Sequence, residues 1–197
     1  MSRDTQPTSR WASVALGNLP LPEPHLALLA AGVALQAVRP LRLPAAGWRI
    51  AAIGAGVAMG ASVAVTGWAT RAAGTVDLSE PDRLVTAGPY ALTRHPMYEA
   101  WTAMYAALAV WLRNGWLAVL LPVLLALVHR DTGREDRRLR GRFGKAHVEY
   151  AQEVPRYLTI HVARILRRAA RRAHANAPKE QGRSTAAAEA SAAVRTQ

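Results

Sequence analysis

Apolar and polar stretches alternate along this chain on the length scale of a lipid bilayer. Residues 1–18 are polar and carry Arg3 and Arg10, without the charged, apolar and small-residue regions of a signal peptide. A first apolar segment runs from Leu26 to Val38 and closes at Arg39-Pro40-Leu41-Arg42. It reaches spanning length only if it begins near Leu19, which brings in Pro20, Pro22, Glu23, Pro24 and His25. Ile50 to Ala69 is 20 residues without a charge, the length that crosses a membrane as a helix. Trp48 and Trp68 flank it, about 30 Å apart at the helical rise, and such rings prefer bilayer interfaces.

From Arg71 to Thr93 the chain is polar and holds turn formers at Gly74, Pro81 and Gly88-Pro89. Two apolar runs follow, Met97–Leu112 and Trp116–Val128, separated only by Arg113-Asn114-Gly115. So tight a break predicts a helical hairpin that crosses and recrosses the bilayer, with Trp111 and Trp116 at its turn. Each arm is about 20–24 Å by helical rise, and Pro122 lies inside the second. From Arg130 to Tyr150 charges recur at every turn, which predicts a separate helix on the membrane surface or on the protein. Ile160 to Ala173 is basic and amphipathic, suited to the headgroup layer. The Ala-, Ser- and Arg-rich end beyond it reads as disordered.

These elements predict an all-α integral membrane protein of about four transmembrane helices, with a C-terminal helical hairpin and cytoplasmic basic helices. Its parts are a polar segment at 1–18, a membrane domain at 19–158, a basic amphipathic helix at 159–175 and a tail at 176–197. Composition sharpens this picture. The mean hydropathy near zero averages an apolar front with a basic back. From Arg130 onward 16 Lys and Arg stand against 7 Asp and Glu, and before it 9 against 6. The apolar front makes the lipid bilayer, not nucleic acid, the partner of that basic back. The positive-inside rule then puts the C-terminus in the cytoplasm. Four spans bring the Gly74–Thr93 loop to the same side and leave Arg39, Arg42 and Arg49 outside. Either the first segment does not cross or the basic tail outweighs that loop.

Without cysteine there is no disulfide, thiolate nucleophile or Cys-based metal site, and the six histidines lack metal-ligand spacing. The glycines of Ile53–Gly60 miss the dinucleotide fingerprint, because Met59 stands where the third Gly belongs. Inside an uncharged span Gly56 and Gly60 instead predict close helix packing.

The candidate chemistry sits where the apolar runs stop. Gly88-Pro89-Tyr90 leads into Arg94-His95-Pro96-Met97-Tyr98; after the hairpin come Arg134-Glu135-Asp136-Arg137-Arg138-Leu139, Phe143-Gly144 and Val154-Pro155-Arg156. Ionisable residues at a bilayer boundary are expensive to desolvate and mark working sites. This combination resembles the isoprenylcysteine carboxyl methyltransferase family, which is related to the phospholipid N-methyltransferases. The resemblance covers Asp82 to Leu158, about two fifths of the chain.

The resemblance implies S-adenosylmethionine as cofactor and a lipophilic, membrane-partitioned small-molecule or lipidated acceptor, in a cell membrane of bacterial type. Carried over, the cofactor contacts are Asp82, Arg83, Leu84, Val85, Tyr90, His95, Pro96, Met97, Tyr98 and Glu135. Arg94 and His95 are the candidate catalytic groups, with a lipid-phosphate or structural contact as the alternative for Arg94. The chemistry is sensible unaided. His95 and amides at the start of the following helix suit a carboxylate. Glu135 can accept from an ammonium or a ribose, and Tyr90 and Tyr98 offer π faces to adenine or a sulfonium. No metal is needed.

The chain also departs from the family pattern. Glu99 stands where an apolar residue is usual; it is a candidate contact for an amine-bearing acceptor, or else a residue that simply reaches the interface. His147 takes the place of a common Tyr. Asp131 takes the place of the Arg that orients an acceptor carboxylate, so Arg130 or Arg134 are the substitutes. A prenylated cysteine is correspondingly less favoured as the substrate. Two other readings remain: an NADPH-dependent sterol-type reductase, which shows a similar C-terminal pattern, and a catalytically silent anchor.

Overall fold

A computed structural model describes residues 23–158, residue 79 excepted. The polar start, the 159–175 helix and the 176–197 tail expected from the sequence lie outside the described residues. Five α-helices account for most of the rest: α1 (Glu23–Val38), α2 (Trp48–Ala73), α3 (Pro96–Trp111), α4 (Gly115–Phe143) and α5 (Lys145–Glu153). A 3₁₀ turn at Gly88–Ala91 precedes α3. Among the described residues there is no β-strand, only an isolated bridge between Arg42 and Asn114.

Two helices, α2 with 26 residues and α4 with 29, are long and apolar enough to cross a membrane. α1 and α3 have 16 residues each. The apolar side chains of α2 point outward: Ile50 is 78% exposed and Ile53 70%. A core helix of a water-soluble protein hides such residues, so this face suits lipid.

The helices run up and down. α3 is the centre, packing on α2 along one side and on α4 along the other, while α1 lies mainly on α4. One core cluster joins Tyr105 and Ala109 of α3 to Leu117, Leu124 and Val128 of α4, with Leu28 and Leu29 of α1 against them. The other joins Ala69 of α2 to Tyr90 and Met97, with Val85 and Trp101 packed on it. α1 approaches α4 so closely that a Cβ at Gly32 would collide with the Leu117 side chain. Of the two glycines expected to mark packing in α2, Gly56 faces the Trp111 ring, where an added Cβ would lie 3.2 Å from it, but Gly60 looks onto open space.

The hairpin turn is built by Asn114, whose side-chain oxygen accepts from the amides of Trp116 (3.0 Å) and Leu117 (3.2 Å). This N-cap starts α4. α4 then runs through Pro122 and on past the apolar stretch without interruption to Phe143. The charged block from Arg130 is therefore not a separate surface helix at its start. The break comes only at Gly144, with φ +51°, a conformation that glycine adopts without strain.

Candidate active site

The site forms where α2 ends, α3 begins and α4 passes beside them. Gly88 allows the polar segment to fold onto α2: its φ is +63°, and a Cβ there would sit 2.8 Å from that of Ala72. The 3₁₀ turn that follows puts Tyr90 in the second core cluster. Tyr150 of α5 donates its hydroxyl to the Tyr90 carbonyl at 2.6 Å, fastening α5 across the turn.

His95 occupies the N-cap position of α3 with Pro96 at the first helical position, where its absent amide is not missed. The ring does not cap the helix. It turns to α4 instead, with Nε2 3.1 Å from Asp136 and Nδ1 3.7 Å from Glu135. An ionised carboxylate only accepts, so Nε2 donates to Asp136. The Tyr98 ring meets His95 edge-on at 5.9 Å, and its hydroxyl reaches the Glu135 carboxylate.

Asp136 is the centre of the cluster. Besides His95 it accepts from Arg94 at 3.0 Å and from two nitrogens of Arg156 at 2.7 and 2.8 Å. A carboxylate this buried is tolerable only with such partners. Arg156 is delivered by backbone bonds that stitch the last described segment to the start of α3. Arg94 N donates to Pro155 O at 3.0 Å. Leu158 N donates to Glu99 Oε1 at 2.8 Å. The Thr93 hydroxyl lies 2.6 Å from that same Glu99 oxygen and 2.9 Å from Arg156 O.

Glu135, one residue earlier, faces a different space. A crevice of about 40 Å³ is walled by Leu78, Pro81, Arg83, Leu84 and Val85 from the loop and by Tyr90, Arg94 and His95 from the motif. Glu135, Asp136 and Leu139 of α4, with His147 and Tyr150 of α5, complete it. Burial, and after it the nearby Glu135 and Tyr150, holds the Tyr90 phenol well above its ordinary pKa. Burial likewise raises Tyr150. His147 is buried with neither ring nitrogen hydrogen-bonded. Burial chiefly lowers its pKa, with Arg94, His95 and Arg140 acting the same way and Asp136 opposing them.

Of the residues singled out in the sequence, Arg83, Leu84, Val85, Tyr90, Arg94, His95 and Glu135 therefore share one crevice. Asp82 is exposed and outside it. Pro96 and Met97 are buried behind it, and Tyr98 supports His95 and Glu135. Arg130 and Arg134 are exposed and lie near Asp131, at 3.3 and 3.7 Å. Glu99 is engaged by Thr93 and Leu158. The sequence reading gave no role to Asp136 or Arg156, although both stand inside the quoted motifs, and none to Tyr150. Asp136 and Arg156 each have an oppositely charged neighbour closer in sequence, Arg137 and Arg140 for Asp136 and Glu153 for Arg156, so the sequence held no signal for this pairing.

The sequence matches the family described as phospholipid methyltransferase over residues 45–146, just over half of the chain. The chain belongs to that family. Methyl transfer at a membrane is the activity class this membership indicates, and it favours that reading over the reductase and the silent anchor. The match includes α2, both walls of the crevice and the start of α5, and stops before Tyr150 and Arg156. No curated protein and no solved structure gives a significant match.

Proposed function

We propose that the protein transfers a methyl group from S-adenosylmethionine to a lipophilic acceptor that reaches the site from the bilayer. The observation that carries this reading is the crevice itself, lined by Tyr90 and His95 from one motif and by Glu135 from the other. The groups present fit a sulfonium nucleotide. Glu135 can accept from its ammonium or ribose hydroxyls, and amides at the start of α3 can meet its carboxylate. Tyr90 offers a ring to the adenine or the sulfonium. At about 40 Å³ the crevice is smaller than this cofactor, so binding requires it to widen.

When bound, S-adenosylmethionine supplies an electrophilic methyl on a cationic sulfur, open to in-line attack. The reaction loses charge at sulfur, so orientation and exclusion of water matter more than a strong acid or base. Arg94 and His95 serve by being held rigidly against Asp136, and Tyr98 fixes Glu135. Arg130, Arg134 and Glu99 are the candidate acceptor contacts. In this reading α1 to α4 all cross the membrane, α1 and α3 as short spans. The site and the C-terminus face the cytoplasm, by the excess of basic residues there.

Equilibrium binding to the purified full chain tests this directly. Glu135→Gln and His95→Ala should each weaken S-adenosylmethionine by roughly tenfold to a hundredfold, the worth of a hydrogen bond to a charged group. A tritiated methyl group should then appear in extracted lipids. Unchanged affinity in both variants, or no label in the lipid fraction, refutes the assignment.

A further inference from the structure

A second cavity, about 320 Å³, shares Arg94, Asp136 and His147 with the crevice but opens between α4, α5 and the Arg156 segment. Its charge is one-sided: Arg94, Arg137, Arg140 and Arg156 stand against Asp136 alone. Asp136 is already saturated by Arg94, Arg156 and His95. Arg137 and Arg140 make no ion pair among the described residues.

The five arginines between Gly133 and Arg142 of α4 are not equivalent. Positions 133, 137 and 140 follow the i, i+4, i+7 spacing of a single helix face, whereas Arg138 and Arg142 do not line the cavity. Gly133 leaves the floor of that face open: a Cβ there would lie 3.8 Å from an Arg137 nitrogen and 3.9 Å from an Arg156 nitrogen. Into the same space comes His147, 3% exposed, with no hydrogen bond at either ring nitrogen and Nε2 no nearer than 3.8 Å to Asp136. The Arg94 Nε is buried and unpartnered too. Buried polar groups without partners are rare enough to require a reason.

We propose that this cavity binds a phosphate group, either free or as the headgroup of an anionic lipid. Arg137, Arg140 and Arg156 surround it, and His147 bonds it from beneath. A tetrahedral phosphate presents enough oxygens for several guanidinium forks at once, whereas a lone carboxylate is filled by one or two. The site differs from the crevice in Arg137, Arg140 and Arg156, which do not line the crevice, while Arg94, Asp136 and His147 border both.

Thermal unfolding of the full-length protein in an uncharged detergent tests it. Potassium phosphate is compared with potassium chloride at matched ionic strength, and short-chain phosphatidylglycerol with phosphatidylcholine. A bound anion raises the unfolding midpoint by mass action. In the Arg137→Gln/Arg140→Gln double variant, whose side chains are exposed and outside the Asp136 cluster, apparent affinity should fall by roughly tenfold or more. A response to phosphate supports a free anion as the occupant. A response to phosphatidylglycerol alone supports a lipid headgroup. No response to either probe, or an equal response in the double variant, overturns the proposal.

Discussion

The two ends of the α3–α4 hairpin solve the same problem in opposite ways. At each end polar side chains lie between apolar helices. At the turn, nearly all their bonding capacity goes to the backbone. Asn114 accepts from two amides of α4 and donates to Gly32 O at 3.2 Å. Arg113 donates twice to Leu43 O, at 3.2 and 2.8 Å. At the other end, side chains bond mostly to side chains, around Asp136, and His147 keeps both nitrogens unbonded. A turn that satisfies every group is structural, whereas an end that leaves buried capacity unused is prepared for a ligand.

Removing Asp136 should have the largest effect, because it separates scaffold from site at one stroke. Asp136→Asn leaves two arginines facing each other without their shared carboxylate. Breaking a buried ion cluster costs roughly 3–5 kcal/mol, which for a chain of this size lowers the unfolding midpoint by about 10 °C. An unchanged midpoint would show that the cluster is not what holds α3, α4 and the Arg156 segment together.

The mirror experiment at the turn is smaller. Asn114→Ala removes an N-cap worth about 1–2 kcal/mol and lowers the midpoint by several degrees. Methyl transfer per folded molecule should stay as in the parent chain, because Asn114 lies at the opposite end of α3 from His95. Loss of specific activity without loss of stability would erase the distinction between the two ends.

The same contrast explains what could be read in the sequence. The hairpin was legible because Arg113-Asn114-Gly115 is a short polar break between two apolar runs, and local chemistry fixes it. Tyr90, His95 and Glu135 stood out because charged and ring-bearing residues are dense where apolar runs stop. Their gathering into one crevice is tertiary. Asp136 draws on Arg94 and Arg156, each many residues away in sequence, and no periodicity announces such a pairing. Glu99 accepts from a backbone amide of Leu158, a contact that no local pattern announces. The change from apolar to charged residues at Arg130 suggested a new element. It marks only a change of surroundings along one helix, since neither Gly133 nor Gly141 stops α4 before Gly144.

His147 gives the smallest test and bears on the unused capacity itself. Burial lowers its pKa in the folded chain, while the unfolded chain titrates near the ordinary value of about 6.5. The groups facing it are Arg94, His95, Asp136 and Arg140. Between the two pKa values the unfolded chain binds the additional proton, so acid favours unfolding. The stability tied to a neutral His147 is thus fully present above about pH 6.5 and declines as pH falls below it. The loss cannot exceed about 1.4 kcal/mol per pH unit for one proton. Comparing unfolding midpoints of the parent chain and His147→Gln between pH 7.5 and 5.5 isolates this ring from the other titrating groups. The parent should lose more stability than the variant over that interval. Parallel curves would mean that His147 is not held neutral, and that the site end is as fully satisfied as the turn.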